Sequence, residues 1–109
     1  MTTTAEILQK ARDLISDEKN WTKGEYARNE RGSFIDYDSK SATCFCSVGA
    51  LLKVSPAERA RDAFFFLSQE CEETAGQLVV RFNDTHTHAE VLDLFDRAIK
   101  RAISAEEAA

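Results

Sequence analysis

Two cysteines and two histidines stand at the same short spacing in this chain, as Cys44-Phe45-Cys46 and His86-Thr87-His88, with Asn83-Asp84 just ahead of the second pair. Two thiolates and two imidazoles make a legitimate zinc set, but structural zinc sites favour two to four residues between paired ligands. Residues two apart on a helix also project about 200° away from each other. No metal or other cofactor is therefore expected. The same residue types suit nucleophilic catalysis. A cysteine in the first turn of a helix has its thiolate stabilised by the dipole. A histidine oriented by Asn or Asp completes such an arrangement. Cys44 or Cys46, with His88 and Asn83 or Asp84, supplies these ingredients. His88 opens a helix, where the dipole disfavours the protonated ring and leaves a neutral base. The simpler reading is that the cysteines are small buried hydrophobes, poorly ionised because burial disfavours charge, and the histidines polar turn residues. The chain has no glycine-rich phosphate loop, no paired-carboxylate motif and no His-Glu-x-x-His.

Other candidates concern contact rather than catalysis. Lys23, Arg28 and Arg31 lie among Glu25, Glu30, Asp36 and Asp38, a mixture that favours cross-strand pairs over an anion site. Phe65 falls out of phase with its helix, on the side of Glu58, Asp62, Gln69 and Glu72, and is a candidate contact surface. The formal net charge is -5 with no basic block, which argues against non-specific nucleic-acid binding.

These side chains need elements to hold them. Ala42–Val54 is apolar nearly all round, interrupted only by Thr43, Ser47 and Lys53. As a helix it belongs in the centre of a domain, since it is too short to cross a bilayer. Ser41 or Thr43 is expected to cap it, and Gly49 within it implies another backbone passing close by. Ahead of it, Thr3 and Glu6 form a capping box before an amphipathic helix from about Thr4 to Asp17. Trp21–Arg28 and Ser33–Tyr37 flank Asn29-Glu-Arg-Gly32 and predict a β-hairpin leaning on the helices through Trp21, Tyr26, Phe34 and Tyr37.

Beyond the central helix, Ser55-Pro56-Ala-Glu58 is a start signal. The helix that follows buries Ala60, Ala63, Phe64, Leu67 and Cys71, and Gly76 ends it. Gln77–Phe82 alternates enough for a short strand, though a helix is equally open. Thr87 with Glu90 caps a last helix from about His88 to Ile103, and Ser104–Ala109 reads as a frayed end.

The positions Trp21-x-x-Gly24-x-x-Ala27-Arg28, Gly32, Cys46-x-x-Gly49-Ala50-Leu51 and Asn83-Asp84, followed by a terminal helix, resemble a family of small uncharacterised bacterial domains of unknown function. The resemblance spans about residues 5 to 102. It implies no activity, cofactor or partner, and it points to Trp21, Arg28, Cys46, Asn83 and Asp84 as shared positions. Cys46, not Cys44, matches its Cys-x-x-Gly-Ala-Leu element.

The expectation is one α+β domain over 1–109, mainly α, with its core about 4–103. About four helices surround a buried central helix, and a β-hairpin lies between helices 1 and 2. Three cysteines, no signal peptide and no membrane-length apolar run point to a reducing cytoplasm. The expected role is a non-catalytic binding module, monomeric or weakly dimeric, for an unknown protein or small-molecule partner. Its contact surface would include Trp21, Arg28 or Phe65. The alternative is a cysteine-dependent enzyme using Cys46 with His88 and Asn83 or Asp84.

Overall fold

A computed structural model describes residues 2–108. The order is α1 (Thr4–Leu14), a short 3-10 turn (Glu18–Asn20), β1 (Ala27–Arg28), β2 (Cys44–Phe45), α2 (Ser47–Val54), α3 (Ala57–Ala75), α4 (Val79–Thr85) and α5 (His88–Ala108). The protein is mainly helical with a small antiparallel sheet, as the patterning predicts. No helix among the described residues is long and apolar enough to cross a membrane.

The first and last helices form for the reasons their sequences give. In α1, the Thr3 Oγ1 accepts from the Glu6 amide and the Glu6 carboxylate accepts from the Thr3 amide. The same reciprocal pair joins Thr87 and Glu90 at the start of α5. The threonine amide that donates to each carboxylate stabilises its charged form, so Glu6 and Glu90 are held below the usual carboxylate pKa. α5 packs against both α1 and α3, and α1 also packs against α2 and α3. Leu8, Ile15, Leu51, Leu67, Leu94 and Phe95 form the dry centre. The buried Glu70 carboxylate ties α3 to α5 by accepting from the Arg101 Nε at 2.7 Å. Arg97 approaches its other oxygen at 3.7 Å.

The expected antiparallel pair between α1 and α2 is present, but its partners differ. Ala27 pairs with Phe45 and Arg28 with Cys44. Only a single bridge, Arg28 to Phe34, remains of the pairing across the Asn29–Gly32 turn. That turn is as predicted: Asn29 Oδ1 accepts from the Arg31 and Ser33 amides. Consequently the Cys-Phe-Cys segment does not open a helix. It runs extended along residues 26–28, and α2 begins three residues later than a Thr43 cap, and five later than a Ser41 cap, would place it.

Three further expectations are corrected, and the open choice at Gln77–Phe82 resolves to a helix. Gln77–Phe82 does not form a strand: Val79 and Phe82, three residues apart, are buried on α4, while Val80 between them is exposed. Pro56 takes the cap position of α3 with no side-chain hydrogen bond, so the Ser55 cap and its box with Glu58 do not form. Phe64 lies 41% exposed instead of in the core. Ser104–Ala108 continues α5 instead of fraying.

Candidate functional site

The shared polar positions converge on one buried amide. Asn83, 1% exposed on α4, points at the start of α2. Its Oδ1 accepts from the Trp21 indole Nε1 at 2.8 Å, the Ser47 amide at 3.0 Å and the Ser47 hydroxyl at 2.8 Å. Its Nδ2 donates to the Thr22 carbonyl at 2.9 Å. Asp84 beside it accepts from the Gly24 amide at 2.9 Å. Two segments of the chain's first half, residues 21–24 and the start of α2, are thus stitched to α4 by two consecutive side chains.

Arg28 adds a second layer. Its guanidinium donates to the Thr22 hydroxyl and to the Lys23 and Gly32 carbonyls, at 3.1, 3.0 and 2.9 Å. Gly24 makes this possible. Its φ of +83° disfavours any L side chain, and a Cβ there would stand 3.2 Å from the Arg28 Nη2. The cross-strand ion pairs expected for Lys23, Arg28 and Arg31 are not formed among the described residues; Arg28 bonds to neutral oxygens instead.

Cys46 is the N-cap of α2. Its Sγ accepts from the Gly49 amide at 3.4 Å, and its own amide donates to the Tyr26 carbonyl at 3.1 Å. The backbone at Tyr26 passes so close to α2 that a Cβ on Gly49 would fall 1.9 Å from the Tyr26 oxygen. This is the close approach that a glycine inside an apolar helix implies. Burial pushes the Cys46 thiol pKa up, and the Asp84 charge adds to the effect; the helix amides of Gly49 and Val48 oppose both without prevailing.

The two imidazoles are engaged elsewhere. His88 Nε2 lies 2.6 Å from the Ile15 carbonyl, so that nitrogen carries the proton, and its ring tilts against Trp21 at 5.3 Å. His86 stacks on Phe82 at 3.7 Å with Nδ1 3.0 Å from the Phe82 carbonyl. Neither ring is hydrogen-bonded to Cys44 or Cys46, and Cys44 Sγ lies 3.8 Å from the Arg28 carbonyl. Asn83 and Asp84 accordingly orient Trp21, Ser47 and Gly24 rather than a histidine. Among the described residues no three His, Cys, Asp or Glu side chains gather as a metal site.

Space opens on the far side of α2. Val48 and Leu52 are only half-buried, and they face Phe64 of α3 across a groove of about 270 Å³. Leu51 and Ala60 also line the groove, and Arg61 stands at its edge. A second cavity of about 210 Å³ lies next to it, between Glu25, Phe34, Cys46 and Asp84. Tyr26 and Val80 line both, so the two spaces share one ridge. Tyr26, Phe34, Phe64 and Val80 are 45%, 59%, 41% and 42% exposed. Phe65 is also open, but it packs edge-on to Phe66 and takes no part in the groove.

This face was missed because Tyr26, Phe34 and Phe64 are large and apolar and so read as core. The available signal was the surplus of such residues over what one small core can enclose.

No curated protein and no solved structure matches the chain. A family model, described as a family of unknown function (DUF6197), matches residues 1–101.

Proposed function

The chain belongs to DUF6197, a family of unknown function, and from that premise we propose that it is a non-catalytic binding module. Its contact face is the groove between α2 and α3 with the Tyr26–Val80 ridge. The observation that carries this reading is a division of labour. The polar side chains at the shared positions are occupied by internal hydrogen bonds, whereas four large apolar side chains around two adjoining cavities are left open to solvent. Concave, mostly apolar spaces with a few polar groups at the edge are where small ligands and peptide side chains bind. A thiol that caps α2 and is buried and raised in pKa, with both imidazoles committed to backbone carbonyls, does not support the cysteine-enzyme alternative. Of the surface residues singled out by sequence, Trp21 and Arg28 hold the scaffold, and the contact role passes to Tyr26, Phe64 and Val80. Three free cysteines support a reducing, cytoplasmic setting.

Amide NMR spectra recorded during titration with a panel of small aromatic fragments test the location. Shifts should cluster at Tyr26, Val48, Leu52, Phe64 and Val80 and vanish in Phe64→Ser, with circular dichroism checking that the variant is folded. Shifts confined to another face, or unchanged in that variant, would place binding elsewhere.

A further inference from the structure

Charge at the second cavity narrows the occupant. Glu25 and Asp84 both line it, each half-buried. Asp84 Oδ1 accepts from the Gly24 amide, and neither carboxylate is in an ion pair among the described residues, although six such pairs form elsewhere. Lys23, two residues from Glu25, sits over the Trp21 ring at 5.3 Å, and Arg81, three residues before Asp84, is exposed and in no ion pair among the described residues. Tyr26 and Phe34 supply aromatic surface at the same opening. Two carboxylates without a counter-ion, flanked by aromatic rings, attract an organic cation by Coulomb and cation–π terms together. Across the shared ridge the larger groove offers Val48, Leu51, Leu52 and Phe64, with no carboxylate in its lining.

Resting on the groove reading above, we propose that the ligand is a peptide segment of a partner protein that carries a Lys or Arg beside a large aliphatic or aromatic residue. The cation enters between Glu25, Asp84, Tyr26 and Phe34. The apolar side chain crosses Val80 and fills the groove under Phe64. A partner of this kind is also drawn towards a chain of net charge -5.

The test is selection of a displayed library of random twelve-residue peptides on the intact protein, followed by affinity measurement of synthetic winners. Enriched peptides should pair Lys or Arg with Leu, Ile, Phe or Trp within a few positions. Replacing their basic residue by Gln, or using Glu25→Gln or Asp84→Asn protein, should each weaken binding by about two- to fivefold, the range of a partly exposed charge pair. Raised salt should reproduce most of that loss in the parent and little in the variants. Both amides keep the shape of the residue replaced, and Asp84→Asn retains an acceptor for the Gly24 amide. Circular dichroism confirms that each variant is folded, and Glu25→Gln alone decides if Asp84→Asn is not.

Apolar winners without basic residues, lost in Phe64→Ser but indifferent to Glu25→Gln, would overturn this inference and leave the groove reading standing. Winners indifferent to Phe64→Ser and Val80→Ser, or no enrichment at all, would overturn both.

Discussion

Replacing Asn83 by alanine should be among the most damaging single changes to a polar side chain in this protein. The side chain is 1% exposed, and its loss strips partners from the Ser47 amide and hydroxyl, the Trp21 indole and the Thr22 carbonyl. Each buried polar group left without a partner costs about 1–3 kcal/mol. Ser47 is as buried as Asn83, whereas Trp21 and Thr22 are only half-buried and regain some hydration. Taking the low end for each gives a loss of about 3–4 kcal/mol, a large share of the roughly 5–15 kcal/mol that holds a domain folded. Urea unfolding followed by Trp21, the single tryptophan, reads the site directly. With a slope near 1.5 kcal/mol/M the midpoint should fall by about 2 M.

Asn83→Asp separates the hydrogen bonds from the volume. It keeps an acceptor for Trp21 and Ser47 but turns a second oxygen towards the Thr22 carbonyl and Asp84. Burial and the Asp84 charge should raise the pKa of the new carboxyl in the folded state. A raised folded pKa gives stability that is present at low pH and lost as pH rises through it, so the deficit of Asn83→Asp should shrink between pH 7 and pH 4. A loss below about 1 kcal/mol for Asn83→Ala would refute the idea that this amide holds α2, α4 and the Trp21 segment together.

Gly49→Ala should abolish the native fold or lower the melting temperature by more than about 15 °C, because its Cβ would meet the Tyr26 carbonyl at 1.9 Å. A melting scan within a few degrees of the parent would show that the approach relaxes freely. Native Cys46 should alkylate far more slowly than a free thiol at pH 8 and react fully only in denaturant, since burial raises its pKa and shields it. Peptide mapping of the labelled protein checks this. Burial takes the Cys71 pKa from 9.0 to about 11. The unfolded thiol ionises first as pH rises, so about 2–3 kcal/mol of stability should be lost across that window, and Cys71→Ala should lose less than the parent over it. Thr87→Ala should cost about 1 kcal/mol through the α5 capping box, measured by urea unfolding.

Local chemistry made some of this architecture readable. Thr3 with Glu6 and Thr87 with Glu90 announce α1 and α5 because capping is settled within four residues. Gly49 announces its neighbour because only a crowded backbone repays a glycine in a helix. The Cys44-Phe-Cys46 segment failed to announce itself because tertiary pairing, not local preference, makes it a strand: its partners Arg28 and Ala27 lie sixteen and eighteen residues away. A thiol is also an uncommon helix cap, so Ser41 and Thr43 drew the start of α2 too early. Asn83 and Trp21 were each visible as shared positions, but nothing local reveals a hydrogen bond across 62 residues. The groove was hidden for a related reason, since a phenylalanine at a core-facing phase looks the same whether or not anything covers it.

The two-residue clasp at 83–84 gives the protein a consequence beyond its own stability. It fixes the path of the main chain at Gly24, Thr22 and Ser47 without using the side chains at 34, 64 or 80. Those three positions are therefore free to drift while the frame stays constant. On the groove reading proposed above, relatives that keep the clasp and exchange these residues would offer the same doorway to different guests, and differences in what they bind would be written at 34, 64 and 80 before anywhere in the frame.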